Sequence, residues 1–409
     1  MPADDTMTLD ERLKYLRRMQ KRYLLADRQT RSALLDEMVH VTDLDRKTLI
    51  RRMRSDLARR PRRKQRGRTY DHQVDDALRL IARTWDFISA ERLAPNLGWM
   101  AASLAAHGEL TLTPELQAQL AAISTSTVAR ILQRLRQDEP RLPRSGPREA
   151  NRLRREVPMG RIPWDETRPG HFEADLVFHS GPARGGEHMH TLQLIDVATA
   201  WSERVAVLGR SFVVMRDAFE HIVRRLPFPI REIHPDNGSE FFNHHLVQFW
   251  GERIQGVTLS RSRPWHKNDN RFVEQKNDTL VRAYFGQARL DTVAQTRATN
   301  ALYEDMWAYY NLFQPVMRLA AKEVTEDAQG TRRVRRRYDP ARTPFDRLCA
   351  TGLLPQAQQE ALARRRDGIN PRLLREHIHE QRDALFRLPG AAPGQSEDVY
   401  ATLLHPECI

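Results

Sequence analysis

Three acidic residues in different local settings are the part of this sequence best suited to chemistry. Asp175 lies in HFEADLVF (171–178), Asp236 in HPDNGSEF (234–241) and Glu274 in KNDNRFVEQKN (267–277). Three carboxylates brought together can hold two divalent cations, and hard oxygen ligands favour Mg²⁺ or Mn²⁺. Two-metal sites of this kind cut and join phosphodiesters. The sequence therefore predicts a metal-dependent site for phosphoryl transfer.

The first acid lies in a segment whose alternation predicts a β-strand. Glu173 and Asp175 fall on one face of that strand, because successive side chains point to opposite faces. Asp175, near the middle, is the predicted metal ligand, whereas Glu173 is either its neighbour or a solvated edge residue. The opposite face is apolar and is expected to pack against helices through Phe172, Ala174, Leu176 and Phe178.

The other two acids are expected at a strand end and on a helix. Asp236 follows a short apolar segment and precedes Asn237-Gly238, a pair typical of turns. Glu274 borders the apolar stripe of a helix predicted from about residue 270, and the alternative is an ordinary exposed helical glutamate. Asp196, at the end of the second predicted strand, is the chief rival for a metal position.

The region around these acids alternates between strand and helix patterns. Strands are predicted for TLQLIDV, SERVAVL, REIHP and VTLS, and helices for residues 211–226 and NHHLVQFWGER. This order fits a mixed sheet covered by helices, which makes the fold class α/β for residues 170–290. From residue 291 onward the pattern is mainly helical, with a basic, proline-containing segment at 331–344.

Charge and cysteine content restrict the class of protein. The chain has 409 residues and a formal net charge of +13, of which +10 belongs to residues 1–70. This excess indicates either a part that grips a polyanion or a solvated basic tail. Two cysteines exclude a disulfide framework and a cysteine-based zinc site. With no signal peptide pattern and no apolar run of membrane-spanning length, we expect a soluble cytoplasmic protein with no membrane partner.

The sequence pattern of two segments in the N-terminal third predicts a helix, a tight turn and a second helix. In the first, Asp45 is a predicted N-cap, and in the second Pro114 starts one helix while Ser124 or Thr125 caps the next. Each segment is interpreted as a helix-turn-helix DNA-binding unit, with helical-bundle packing as the alternative. Residues 59–68 form a basic linker suited to tracking phosphates.

Several basic and polar side chains are expected to contact DNA. The predicted contacts are Arg46, Lys47, Arg51, Arg52, Arg62, Arg63, Lys64, Thr125, Arg130, Lys267 and Lys276. Near the acids, His234 and His266 are candidates for secondary phosphate contacts, and the alternative is that they are solvent-facing polar residues.

The segments FEAD, HPDNGSEF and KNDNRFVEQKN resemble the catalytic core of retroviral-type integrases and bacterial insertion-sequence transposases of the DDE group. The resemblance implies an RNase H-like fold, with Asp175, Asp236 and Glu274 as the catalytic and metal-binding triad. It further implies direct phosphoryl transfer with two Mg²⁺ or Mn²⁺ ions, double-stranded DNA as partner, a homo-oligomer on DNA and a bacterial, nucleoid-associated location. Retroviral integrases carry lysines where this chain has Asp278 and Val281, and their His/Cys zinc module is absent here.

These patterns together predict a multidomain chain. The expected parts are a first helix-turn-helix unit (1–58), a basic linker (59–68), a second helix-turn-helix-like unit (69–138), a Pro/Arg-rich linker (139–169), the RNase H-like core (170–290), a helical C-terminal region (291–388) and a tail (389–409). The expected activity is transposase or integrase-type cleavage and strand transfer. The alternatives are an RNase H-like nuclease without strand transfer and a non-catalytic DNA-binding regulator.

Overall fold

The computed structural model describes most of the chain. It covers residues 7, 9–57, 70, 72–135, 159–160, 162–163, 165–182, 186–235, 256–262, 271–326, 332–392 and 397–405. The chain divides into two compact units, residues 1–69 and 70–409, and each is described by itself.

In its described residues the first unit has three helices: α1 (Leu9–Leu25), α2 (Arg28–Thr42) and α3 (Arg46–Met53). The carboxylates of Asp27 and Asp45 accept hydrogen bonds from backbone N–H groups three residues later, at 2.8 and 3.0 Å, so both are N-caps. The predicted Asp45 cap is confirmed. Asp43 ends α2 in a left-handed conformation, with φ of 55°. A small core fills the unit with Leu16, Leu34, Leu35, Met38, Leu49, Met53 and Leu57.

The second unit begins with helices that precede its sheet. They are α4 (His72–Thr84), α5 (Ala90–Leu93), a 3₁₀ turn (Ala94–Asn96), α6 (Leu97–Ala106), α7 (Pro114–Ala122) and α8 (Thr125–Leu135). The predicted start of α7 at Pro114 is confirmed, with Thr113 as its N-cap. For α8, the Ser124 hydroxyl accepts a hydrogen bond from the Thr127 N–H at 3.3 Å, which favours Ser124 as the cap.

A mixed five-stranded sheet forms the centre of the second unit. Its strands are β2 (His171–Phe178), β3 (Met189–Asp196), β4 (Ser202–Leu208), β5 (Glu232–Pro235) and β6 (Thr258–Leu259), in the order β4-β3-β2-β5-β6. Strands β2, β3 and β4 pair antiparallel, whereas β5 is parallel to β2 and β6 is parallel to β5. Helix α9 (Phe212–Arg225) lies between β4 and β5 in the chain. Separately, β1 (Met159–Gly160) pairs with β7 (Arg261–Ser262). The predicted mixed sheet with flanking helices is confirmed.

The chain beyond the sheet is mainly helical, as predicted. The elements are α10 (Arg271–Asn277), a π-helical turn (Asp278–Arg282), α11 (Ala283–Phe285), α12 (Val293–Ala308), a second π-helical turn (Tyr309–Phe313), α13 (Pro344–Ala350), α14 (Gln356–Asp367), α15 (Pro371–Leu385) and a 3₁₀ turn (Val399–Thr402). An antiparallel hairpin of β8 (Leu319–Glu326) and β9 (Arg332–Tyr338), which the sequence patterns did not predict, interrupts this series. Within the described ranges, no helix is long and apolar enough to cross a bilayer.

Both faces of the sheet are covered. Phe172, Ala174 and Leu176 lie in a large apolar cluster that also includes side chains of α4 to α9, which confirms the predicted packing of this row. Phe178 was expected to pack in the same way, but it is 48% exposed because it is the last residue of β2. The other face, which carries Asp175, is covered by α10, α11 and α12, and a second apolar cluster fills its outer part.

Candidate functional site

Asp175 occupies the middle of β2, and hydrogen bonds hold both of its carboxylate oxygens. Its Oδ1 accepts a bond from the Leu176 N–H at 2.9 Å, and its Oδ2 accepts one from the side-chain amide of Asn277. Asn277 is the last residue of α10 and is buried. The carboxylate is therefore oriented by its own strand on one side and by a helix on the other.

Glu173, two residues earlier on the same face, attaches the start of α10 to β2. Its carboxylate is 1% exposed and accepts hydrogen bonds from the N–H groups of Phe272 at 2.7 Å and Val273 at 2.9 Å. The first N–H groups of a helix have no partner within the helix, and the helix dipole favours an anion there. The alternative of a solvated edge residue is therefore wrong for Glu173, which is buried and anchors α10.

Glu274 lies on the same short helix as these two contacts. It is an exposed residue of α10, three positions before Asn277, so the two share one side of the helix. Asn277 binds Asp175 and the start of α10 is bound to Glu173. The helix that carries Glu274 is therefore attached to β2 at both ends, and the role of Glu274 as a metal ligand stays a prediction.

Asp236, the third acid of the predicted triad, lies outside the described residues. The strand that precedes it in the chain is described. Strand β5 runs parallel to β2, and its last residue, Pro235, pairs with Ala174 in the register. The described part of β5 therefore ends beside β2 one residue before the level of Asp175.

A row of buried polar side chains continues from Asp175 across the sheet. Gln193 of β3 is the register partner of Asp175, and Arg204 of β4 is the partner of Gln193. Neither side-chain atom of the fully buried Gln193 has a hydrogen-bond partner, and the same is true of Nε and Nη1 of Arg204. The Arg204 guanidinium lies 5.8 Å from the ring centroid of Tyr303 and 5.3 Å from that of Tyr310.

This polar row was missed by the sequence interpretation. Buried polar groups without partners cost free energy, so a row of them beside Asp175 makes this part of the sheet less stable than a purely apolar core would be. Asn277 Oδ1 belongs to the same group, because it too is buried without a hydrogen-bond partner. The available signal was the adjacent pair Glu203-Arg204 within the otherwise apolar SERVAVL strand.

Lys276 of α10 is half-buried. Burial, together with the smaller effect of the positive charges of Arg92 and Arg204, lowers the pKa of Lys276 to about 7. Both arginines belong to the second unit, and Arg204 is buried in the sheet. The charged form of Lys276 is therefore disfavoured by nearby positive charge. Its role as a DNA contact stays a prediction.

Asp196, the rival metal ligand, serves a different part of the fold. It pairs with Phe172 in the register, so it lies in the row of β2 and β3 opposite to that of Asp175. Its fully buried carboxylate accepts hydrogen bonds from the Gly170 N–H at 2.7 Å and from the Thr199 N–H and hydroxyl at 2.8 and 2.6 Å. Burial raises the pKa of Asp196, although these hydrogen bonds act against the shift. Asp196 braces the turn between β3 and β4.

His234 also has a structural setting. It is fully buried, and its Nδ1 lies 2.6 Å from the hydroxyl of Ser260 beside β6. The alternative of a solvent-facing histidine is therefore wrong for His234. His266 and Lys267 lie outside the described residues.

The predicted DNA contacts of the helical regions differ in exposure. In the first unit, Arg46 binds the carboxylate of Asp36 and donates to the Ser32 hydroxyl at 2.7 Å. Lys47 and Arg51 are exposed and Arg52 is half-buried; in the second unit, Thr125 and Arg130 are exposed. The predicted contacts in the basic linker, Arg62, Arg63 and Lys64, lie outside the described residues.

The donor set around Asp175 suits a hard divalent cation. Asp175 and Glu274 supply carboxylate oxygens, and the unpartnered Asn277 Oδ1 is a further oxygen close to Asp175. Within the described residues, no group of three or more His, Cys, Asp or Glu side chains is arranged to hold a metal ion. The described donors fit such an ion, but a complete ligand set requires a residue from elsewhere.

Comparisons with known proteins give a relative by sequence and a large set of distant structural matches, of which two are described below. No protein-family model matches the chain. The uncharacterized protein y4rM of Sinorhizobium fredii (strain NBRC 101917 / NGR234) is 34% identical over 332 residues, covering 80% of this chain and 92% of y4rM. The catalytic core domain of BIV integrase matches with a TM-score of 0.28 and 12% identity, covering 45% of this chain and 96% of that one. A chain of the simian T-cell lymphotropic virus intasome in complex with PP2A regulatory subunit B56 gamma matches with a TM-score of 0.29 and 11% identity, covering 53% and 70%.

Proposed function

The chain belongs to the same family as y4rM, and we propose that it is a transposase or integrase-type DNA recombinase with an RNase H-like core. In this proposal it cleaves the ends of a DNA element and joins them to target DNA by metal-dependent phosphoryl transfer. The observation that carries the proposal is the attachment of α10 to β2. Glu173 binds the start of the helix and Asn277 binds Asp175, so the helix that carries Glu274 is attached to the strand that carries Asp175. This attachment supports the assignment of both acids to one site.

We assign Asp175, Asp236 and Glu274 as the residues that hold two Mg²⁺ or Mn²⁺ ions. When bound, such ions would stabilise the negative charge that develops on the reacting phosphate and lower the pKa of an attacking water. Asn277 keeps the Asp175 carboxylate in one orientation, and Glu173 keeps α10 at a constant distance from β2. Because oxygen donors must be placed accurately, these two positioning contacts support the acids, and loss of such a contact typically costs about 10- to 100-fold in metal affinity or activity.

The proposed chemistry balances without a covalent enzyme intermediate. In cleavage, a water oxygen bonds to phosphorus, the bond from phosphorus to the 3′-oxygen breaks, and a DNA 3′-hydroxyl is released. In joining, that 3′-hydroxyl bonds to a phosphorus of the target strand, and the target's own 3′-oxygen leaves. The acids that hold the cations provide the negative charge that keeps them in place during both steps.

Recognition of the element ends is assigned to the two helix-turn-helix segments. The exposed Lys47 and Arg51 on α3, and the exposed Thr125 and Arg130 on α8, are proposed to reach DNA. The concentration of positive charge in residues 1–70 supports this role, because phosphate contacts dominate affinity for DNA. A homo-oligomer on DNA, in a nucleoid-associated bacterial location, completes the proposal.

A cleavage and joining assay tests the function directly. The full chain is incubated with Mg²⁺ or Mn²⁺ and labelled duplexes that carry the sequences flanking its own gene. Nicked 3′ ends and joined products are expected. Asp175→Asn and Glu274→Gln should each reduce both products by at least about 10³-fold, the scale on which removal of an essential catalytic group acts.

Gln275→Ala is the matched control, because Gln275 is an exposed neighbour of Glu274 on α10. It should retain near-normal activity. If the wild-type chain cleaves DNA without joining it, and Glu274→Gln abolishes that cleavage, the protein is a nuclease without strand transfer. Specific binding of the end sequences without cleavage in either metal would show the regulator alternative. Full activity in Asp175→Asn would overturn the site assignment.

A further inference from the structure

The β8–β9 hairpin carries a dense positive charge that the proposed active site does not use. Strand β9 contains five arginines in seven residues, and the two strands together hold six basic residues against two acidic ones. The side chains of Arg335, Arg336 and Arg337 are exposed. None of the three forms an ion pair with another described residue.

The register of the hairpin places basic residues on both faces. Arg335 and Arg337 share one face of β9, where their register partners are Glu323 and Ala321. Arg336 belongs to the other face of β9. The exposed guanidinium groups on both faces can therefore attract a polyanion bound along the ribbon.

The root of the hairpin is firmly attached to the fold. Asp339, just after β9, accepts hydrogen bonds from the Arg318 N–H at 2.7 Å and from the Arg347 guanidinium at 2.6 and 2.9 Å. Burial acts to raise the pKa of Asp339, but these donors hold it below its ordinary value, so the carboxylate is charged. The Arg318 guanidinium in turn donates to the carbonyl oxygens of Ala198 at 2.6 Å and Glu166 at 3.1 Å.

This attachment connects the ribbon to the sheet that carries Asp175. Ala198 lies in the turn that follows β3, and the neighbouring Val197 N–H donates to the His171 carbonyl at the start of β2 at 2.9 Å. His171 is four residues from Asp175 along the strand, a separation of about 13 Å at the usual strand rise. A bound ligand at the root of the ribbon would therefore lie close to the sheet that contains the candidate catalytic acid.

We propose that the β8–β9 ribbon is a binding site for duplex DNA that contacts phosphates through Arg335, Arg336 and Arg337. Three features support duplex DNA over other polyanions. A two-stranded ribbon has the dimensions of the major groove, the exposed cations are guanidinium groups suited to phosphate oxygens, and the ribbon is rooted on the sheet of a proposed DNA-cleaving site. The choice of duplex DNA as the ligand rests on the proposed function. The charge and geometry of the ribbon are independent of that proposal.

Salt-dependent binding tests this site without any requirement for catalysis. Affinity of the full chain for a labelled duplex of arbitrary sequence is measured in EDTA at several salt concentrations. The variant replaces Arg335, Arg336 and Arg337 with Gln. If all three contact phosphates, the slope of log affinity against log salt should become shallower by about 2 to 3, since each phosphate contact contributes about 0.9.

The matched control removes the same charge from exposed arginines elsewhere, with Arg79→Gln, Arg364→Gln and Arg387→Gln combined. It should leave the slope nearly unchanged, and thermal unfolding should show that both triple variants are folded. Equal slopes for the two variants would overturn the ribbon assignment. A ribbon variant that loses binding to polyglutamate but not to the duplex would overturn it in favour of an acidic protein partner. Glu274→Gln separates the two proposals, because it should abolish cleavage while the ribbon-dependent salt slope persists.

Discussion

The two faces of the five-stranded sheet are both buried, yet they bury side chains of opposite character. On one face, Phe172, Leu176 and Leu194 belong to a continuous apolar cluster. On the other, Asp175, Gln193 and Arg204 form a polar row with unpartnered atoms. The apolar cluster of the first face stabilises the fold, whereas the unpartnered polar atoms of the second cost free energy.

The apolar face should be the more sensitive to truncation. Leu194 is fully buried, and Leu194→Ala should lower the free energy of unfolding by about 3 kcal/mol, since it removes buried methyl groups and leaves a cavity. Denaturant unfolding followed by fluorescence measures this. The control is Leu373→Ala, at a side chain that is 49% exposed, with an expected loss of less than about 0.5 kcal/mol. A loss at Leu194 no larger than at Leu373 would contradict the packing described here.

On the polar face, substitutions of Glu173 test whether its carboxylate has a structural role or, like the proposed role of Asp175, binds metal. Glu173→Ala leaves the N–H groups of Phe272 and Val273 without their acceptor and should destabilise the protein by about 2 kcal/mol. Because α10 is then less firmly held, cleavage activity should fall as well. Thermal unfolding and the cleavage assay are measured in parallel.

Glu173→Gln is the matched variant, because its amide oxygen can still accept from both N–H groups. It should retain most of the stability and the activity that Glu173→Ala loses. If Glu173→Gln were folded but as inactive as Asp175→Asn, Glu173 would be a metal ligand rather than the anchor of α10, and the distinction between the two acids of β2 would fail.

His190 is a titratable group at the end of the apolar row, next to Phe178 in the register. Burial, followed by the charges of His188 and Arg210, lowers the pKa of His190 to about 3. Between pH 6.5 and 3 the unfolded chain binds a proton that the folded chain does not. The free energy of unfolding is therefore unaffected by His190 above pH 6.5. Below pH 6.5 the protonation of His190 in the unfolded chain lowers the free energy of unfolding by about 1.4 kcal/mol per pH unit.

His190→Phe should remove this decline, since neither ring nitrogen of His190 has a hydrogen-bond partner. The difference in unfolding free energy between variant and wild type should grow as the pH is lowered from 7.5 to 5. His179, whose pKa burial lowers to about 3, remains in both proteins and provides a common background. A pH-independent difference would show that His190 does not titrate in this window.

The smallest expected effect concerns Gln193, and it has the opposite sign to the truncation at Leu194. Gln193→Met replaces an unpartnered buried amide by an apolar side chain of similar size, which should raise stability by about 1 kcal/mol. The same change should reduce cleavage activity, because it alters the polar row beside Asp175. Loss of stability in Gln193→Met would mean that the amide is well satisfied in the folded protein, and that the two faces differ less than described.

Local patterns predicted much of the fold correctly, for physical reasons that act over short distances. Alternation in 171–178 identified β2 and its apolar row, the side chain of Asp45 supplied a helix cap, and Pro114 began α7. The hairpin was missed because a strand with five arginines in seven residues has the composition of a solvated loop. Its strand conformation depends on pairing with β8 and on the anchor at Asp339, neither of which is visible in composition.

The sequence by itself determined which residue types are present and which face of an element each occupies, because backbone periodicity extends over only a few residues. It thereby placed Glu173 and Asp175 on the same side of β2. Only the tertiary structure decided that Glu173 anchors α10, that Asn277 orients Asp175, and that Asp196 braces a turn on the opposite row. The partner of a buried carboxylate can lie a hundred residues away in the chain, and packing of distant segments, rather than local pattern, selects it.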